Sequence, residues 1–172
     1  SYYADVTDTN GCEFNTDTIN LVVNPLPSDS ITITGNMVFC EGDSVTLEGI
    51  SGLSYTWNTG DTSQSIVVTT SSTVYSIITN QFGCSVTSDT ISTTALTLPD
   101  DSLTYSGSQE FCEGDSVIIS GNALNSYLWN DGDSSLVKTI SSEGTYSLTV
   151  TASNGCTVAI DSIIITVNDL PS

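Results

Sequence analysis

The heptapeptide Phe39-Cys40-Glu41-Gly42-Asp43-Ser44-Val45 returns as Phe111-Cys112-Glu113-Gly114-Asp115-Ser116-Val117, a shift of 72 residues. A fixed period of this length marks tandem copies of one structural unit, each packed on its neighbours. The same shift carries Trp57 onto Trp129, Cys84 onto Cys156, Cys12 onto Cys84 and Pro27 onto Pro99. The 172 residues therefore divide into a C-terminal part of a preceding repeat (1–24), two full repeats (25–96 and 97–168), and the start of a following repeat or linker (169–172). Asn24-Pro25-Leu26-Pro27-Ser28 reads as an extended linker, stiffened by its prolines. Both ends fall inside a repeat, so the chain reads as an excerpt of a longer one.

Within a repeat, short alternating runs of β-branched residues are punctuated by Gly, Asn, Asp and Ser, the pattern of strands and turns. In the first copy the expected strands are residues 30–34, 44–48, 54–58, 65–69, 73–79 and 85–94, the last two forming a hairpin. No segment shows a capped helical period, so the class is all-β. Strand alternation turns Val45, Leu47, Tyr55, Trp57, Ile66, Val68, Val74 and Ile78 inward. In the second copy it turns Val117, Ile119, Tyr127, Trp129, Ile140, Tyr146, Leu148 and Val150 inward. Tyr3 and Tyr75 point outward. Lys138 aligns with inward Ile66, which requires either a sheet edge, where its ammonium can reach solvent, or a slip in register. About seven short strands around one Trp describe a small immunoglobulin-like β-sandwich, repeated in tandem.

The succession Cys-Glu-Gly-Asp-Ser-Val, Tyr-x-Trp-Asn-x-Gly-Asp and Tyr146-Ser147-Leu148-Thr149-Val150-Thr151-Ala152-Ser153-Asn154-Gly155-Cys156 resembles the Ig-like/PKD-like repeats of large Bacteroidetes cell-surface proteins. These include gliding-motility adhesins and other substrates of the type IX secretion system. The resemblance spans essentially the whole chain and implies a secreted, extracellular location.

Five cysteines fit a rule in which each module carries one before the Glu-Gly-Asp turn and one after the late hairpin. This predicts Cys40–Cys84 and Cys112–Cys156 disulfides, with Cys12 paired to an absent upstream partner. A metal site is disfavoured by the lack of CxxC spacing and of any His.

Twenty Asp and Glu against one Lys or Arg give a formal net charge of -19. Such a surface repels phosphate, which argues against nucleic acid as a partner, and it is not drawn to anionic lipid. No apolar run approaches a membrane span, so direct insertion is not expected. Without His, and with Lys138 as the only Lys, no Ser-His-Asp or Ser-Lys arrangement can recur between copies, so an enzyme is not expected. No cofactor is expected. Asp61, Asp131 and Asp133 are weak candidates for Ca²⁺ ligands, against the simpler reading that they cap the turn after each Trp strand.

Asp-Ser/Thr followed by an aliphatic residue occurs seven times, placing hydroxyls at Thr18, Ser30, Ser44, Thr90, Ser102, Ser116 and Ser162. Turn chemistry at strand starts is one reading, with Asp bonding the local backbone. The tripeptide also resembles the O-glycosylation acceptor of secreted Bacteroidetes proteins, which would put glycans on these hydroxyls.

These readings favour a non-catalytic structural or adhesive segment of a long surface protein: a stalk, fibre or gliding adhesin. Its partners would be neighbouring repeats of the same chain, with surface polysaccharide or like chains as further ones. A spacer or carbohydrate-binding module of a secreted multidomain enzyme is the alternative, and a self-assembling extracellular filament subunit a third.

Overall fold

A computed structural model describes residues 1–171; Ser172, expected at the start of a following repeat or linker, lies outside the described residues. Residues 1–24 supply β1 (Asp5–Thr7) and β2 (Glu13–Asn15). The first repeat supplies β3 (Ile31–Thr34), β4 (Val38–Cys40), β5 (Val45–Gly49), β6 (Ser54–Trp57), β7 (Ser65–Val68), β8 (Ser72–Val74), β9 (Ser76–Thr79), β10 (Ser85–Thr87) and β11 (Ile91–Leu96). The second supplies β12 (Thr104–Tyr105), β13 (Glu110–Cys112), β14 (Val117–Ser120), β15 (Ser126–Trp129), β16 (Val137–Ile140), β17 (Gly144–Thr151) and β18 (Thr157–Asn168). No helix occurs among the described residues. The described residues divide into two compact units, one of residues 1–34, 46–66 and 73–91, the other of 35–45, 67–72 and those from 92 onward.

In the first unit, β1 and β2 pair as an antiparallel hairpin with Val6 opposite Phe14. Leu21, Val22 and Val23 beyond it stay exposed, because two strands have no facing sheet to cover them. The sheets β3-β5-β7 and β10-β9-β6 carry the buried side chains Leu47, Tyr55, Trp57, Ile66 and Ile78. The alternation read from the sequence is the alternation found. The expected continuous strands 73–79 and 85–94 each arrive in two pieces. Ser76 and Ser88 stand where the second repeat has Leu148 and Ile160, and the Ser76 backbone N–H donates to Ser88 Oγ at 3.0 Å. A side-chain acceptor thus takes a donor that would otherwise belong to the ladder.

The second unit contains a complete sandwich. Of its seven strands, the first, third and fifth form one sheet, β12-β14-β16, while β15, β17 and β18 form the other. This is the division of an immunoglobulin-like fold. The short β13 joins the second sheet at its edge, pairing in parallel with β18 so that Cys112 lies beside Asn168. The same arrangement holds for β4 and β11, with Cys40 beside Leu96. Neither β4 nor β13 was expected as a strand. Each is three residues long, too short to show a period, and its extended form is set by the neighbouring strand. Val117, Ile119, Tyr127, Trp129, Ile140, Leu148, Val150, Ile163 and Ile165 form the core, with Tyr146 only half-buried against it.

One packing device escaped the pattern reading. The hydroxyl end of the Tyr127 ring lies against Gly121, where a Cβ would overlap it, and that of Tyr55 lies against Gly49 in the same way. The Tyr127 hydroxyl accepts from the Asn122 N–H at 2.6 Å and donates to the Asn122 carbonyl at 3.0 Å. Tyr55 donates to the Ile50 carbonyl at 2.7 Å. A buried hydroxyl needs such partners, and glycine makes the room that lets the ring reach them. Gly121→Ala is therefore expected to destabilise the fold by about 1–3 kcal/mol, the usual cost of overpacking, in a chemical denaturation curve. A midpoint unchanged from the parent chain would show that the ring is free to move aside.

Candidate functional site

The bond that sets this chain apart joins Cys40 to Cys156, across 116 residues, with Cα atoms 5.7 Å apart. It replaces both expected pairings. Cys84 and Cys112, assigned to Cys40 and Cys156 from the repeat rule, carry free thiols, as does Cys12. The reason is the length of the last strand. Cys156 precedes β18 at one end, and Cys112 lies beside Asn168 at the other, twelve residues further along. At about 3.3 Å per residue this separates the two sulfurs by roughly 40 Å, far beyond the reach of a disulfide. A copy's two cysteines sit at opposite ends of it.

Consecutive copies solve the problem. Cys40 of the first repeat meets the late hairpin of the second, residues 152–156, closed by Ala152 N–H to Cys156 O at 2.9 Å. Asn154 secures this hairpin against the connecting segment, its amide donating to the Thr97 carbonyl at 2.9 Å. Its Oδ1 accepts the Cys156 N–H at 3.0 Å, fixing the backbone from which the disulfide leaves. On the other side, Glu41 N–H donates to the Leu96 carbonyl at 2.8 Å and Asp43 N–H to the Cys40 carbonyl at 3.0 Å. Glu41-Gly42-Asp43 is the expected turn, and its job is to hold Cys40 against the strand it borders. Cys156 is buried in the result (1% exposed). Closing a loop of 116 residues contributes about 5 kcal/mol in the chain-entropy model.

The only lysine has a structural post. Lys138 lies on the edge strand β16 opposite Ile119, so the register does not slip. Its stem is covered, and its ammonium turns outward to Asp131 Oδ2 at 2.7 Å and Asp133 Oδ2 at 2.9 Å. The charge also sits 5.3 Å above the Trp129 ring, a cation–π contact. Hydrogen bonds from Ser135 and then from Lys138 hold the Asp133 carboxyl well below its usual range. Lys138 itself, with the backbone N–H of Asp133, holds Asp131 low. Burial works to lower the Lys138 pKa, but the two carboxylates outweigh it and the net shift is upward.

Two of the three candidate Ca²⁺ ligands thus face an ammonium. The third, Asp61, accepts the Ser63 N–H at 2.7 Å, the turn-capping role. Among the described residues no group of three or more His, Cys, Asp or Glu is placed to hold a metal ion. All seven hydroxyls of the Asp-Ser/Thr tripeptides are exposed. Six precede strands or bridges, as turn chemistry requires, while Ser162 lies inside β18. Tyr3 and Tyr75 are exposed as expected, at 62% and 39%. A groove of about 310 Å³ is lined by Asp29, Ser30, Ile31, Ile33, Asp89 and Ile91 and contains no aromatic ring.

No family model and no curated protein matches this chain. Among solved structures it is similar to murine CEACAM1b, at 13% identity over 81% of this chain and 100% of that one, with a TM-score of 0.35. It is also similar to the SGBP-B protein of the Bacteroides ovatus mixed-linkage glucan utilization locus, solved with a mixed-linkage heptasaccharide, at 16% identity and a TM-score of 0.26. A third is the N-terminal four Ig domains of Dscam1 isoform 4.4, at 16% identity and a TM-score of 0.29. The alignments cover 96% and 92% of this chain, which spans 51% and 52% of the latter two. At these TM-scores the likeness decides nothing, and the fold is read from the strand order.

A non-reducing digest is expected to yield Cys40 linked to Cys156, with Cys12, Cys84 and Cys112 open to alkylation. Recovery of Cys40–Cys84 would overturn the geometry. Lys138→Met keeps the stem over Trp129 but removes the charge, and is expected to lower Tm by a few degrees at pH 7. The two carboxyls are depressed in the folded state, so their contribution is present above the unfolded value of about 3.8 and is lost as pH falls through the folded values. The gap between variant and parent should therefore close in strong acid. A gap that persists at pH 1 would assign the effect to packing.

Proposed function

We propose that this chain is a non-catalytic, load-bearing repeat segment of a long secreted bacterial surface protein, a stalk, fibre or gliding adhesin. The observation that carries the reading is the Cys40–Cys156 disulfide, which joins the first sequence repeat to the second inside one compact unit. A bond within a copy would serve only that copy's stability. A bond between copies supports transmission of force along a series. Disulfides persist in oxidising compartments, which supports an extracellular location. A net charge of -19 keeps such a thread soluble and repels it from its like. Adhesion falls to the exposed faces and to chemistry attached to them.

The carbohydrate-binding alternative has less support. Sugar rings are usually met by aromatic platforms; Trp57 and Trp129 are both buried in cores, and the exposed Tyr3 and Tyr75 do not line the groove. The spacer role within a larger enzyme remains compatible with the same mechanics.

Single-molecule pulling on the chain tethered at its ends tests the reading. With the disulfide intact, the 116 residues between Cys40 and Cys156 cannot extend. Reduction is expected to lengthen the fully stretched chain by about 400 Å, at roughly 3.5 Å per residue. Equal contour lengths before and after reduction would remove the load-bearing function.

A further inference from the structure

The Cys40–Cys156 bond has the form of a translation rule, and the free thiols Cys84 and Cys112 occupy its unfilled ends. Cys112 reproduces the setting of Cys40. Both end a three-residue strand paired in parallel with the last strand of their copy, beside Asn168 and Leu96 respectively. Glu113 N–H donates to the Asn168 carbonyl at 2.9 Å as Glu41 N–H does to Leu96, and Asp115 N–H donates to the Cys112 carbonyl at 3.1 Å as Asp43 N–H does to Cys40. Cys112 is exposed.

Cys84 reproduces the setting of Cys156. Asn80 N–H donates to the Cys84 carbonyl at 3.0 Å, closing the same hairpin. The Asn80 side chain accepts the Cys84 N–H at 3.0 Å and donates to the Pro25 carbonyl at 2.8 Å. Pro25 and Thr97, the two carbonyls gripped in this way, stand one repeat apart. Each hairpin therefore holds the segment that enters its own copy, which is where the cysteine of a preceding copy arrives in the bond already formed. Within the second copy, the continuous β18 keeps Cys112 and Cys156 roughly 40 Å apart.

We propose that Cys112 forms a disulfide with the hairpin cysteine of a copy of this repeat placed after the second one, and Cys84 with the strand-end cysteine of a copy placed before the first. The bond between Cys40 and Cys156 is then one rung of a ladder in which every rung spans 116 residues and overlaps the next. The ladder rests on reading the chain as a segment of a tandem array. Each rung forms when two thiols give up two protons and two electrons to an external disulfide, which leaves as two thiols.

The test is a chain lengthened by one copy: residues 1–168 followed by a second 97–168. In the added copy Cys112→Ser removes the duplicate thiol, and exposed Thr157→Ser marks its hairpin peptide by mass. After refolding in a glutathione redox buffer, a non-reducing digest is expected to show Cys112 linked to the marked peptide and Cys40 to the unmarked one. A folded chain with the Cys40 rung formed and Cys112 still reduced overturns the ladder. So does Cys112 linked to Cys84 of another molecule, seen as multimers on a non-reducing gel. Absence of the Cys40–Cys156 bond itself would instead overturn the load-bearing reading. Should the lengthened chain not fold, residues 25–96 placed ahead of 25–168 ask the same question of Cys84. There the expected partner is the leading copy's cysteine, and a free Cys84 in a folded chain overturns the proposal.

Discussion

The parallel pairing of a three-residue strand with the last strand of its sandwich fixes where everything covalent can go. It takes the strand-end cysteine to the exit of one copy, while the hairpin places the other cysteine at the entrance. A sheet edge closed in this way is also shielded from stray strand addition. The sandwich core is the ordinary product of alternation. The edge strand is what carries each strand-end cysteine to its place.

Much of this was legible in the residues. Alternating β-branched runs located the inward face of both copies, down to Trp57 and Trp129, because a half-buried sheet must sort its side chains by parity. Lys138 declared its awkward position through alignment with Ile66, and its solution lay seven residues upstream in Asp131. The disulfide partners were not legible. Repeat arithmetic gives the positions of cysteines within a copy, but pairing depends on which end of a strand each one occupies. That was hidden by β4 and β13, whose extended form comes from a neighbour rather than from their own sequence. The glycine beneath each core tyrosine was equally silent, since an isolated Gly at a strand end reads as a turn.

The two copies also show how a repeat tolerates drift. Leu148 and Ile160 continue their strands, whereas Ser76 and Ser88 interrupt theirs by trading apolar contact for a buried hydrogen bond. Cores accept such changes when every polar group keeps a partner. What does not drift is the frame around the cysteines, where the backbone bonds of Cys40 recur at Cys112.

Lys138 is the one Lys or Arg in the chain, and it stands between Cys40 and Cys156. A trypsin-like protease therefore has a single bond to attack, and that bond lies inside a covalent loop. The side chain it must seize is already held by two aspartates against a tryptophan. Even after cleavage the two pieces stay joined through sulfur. A nick that would part an ordinary chain leaves this one in one piece.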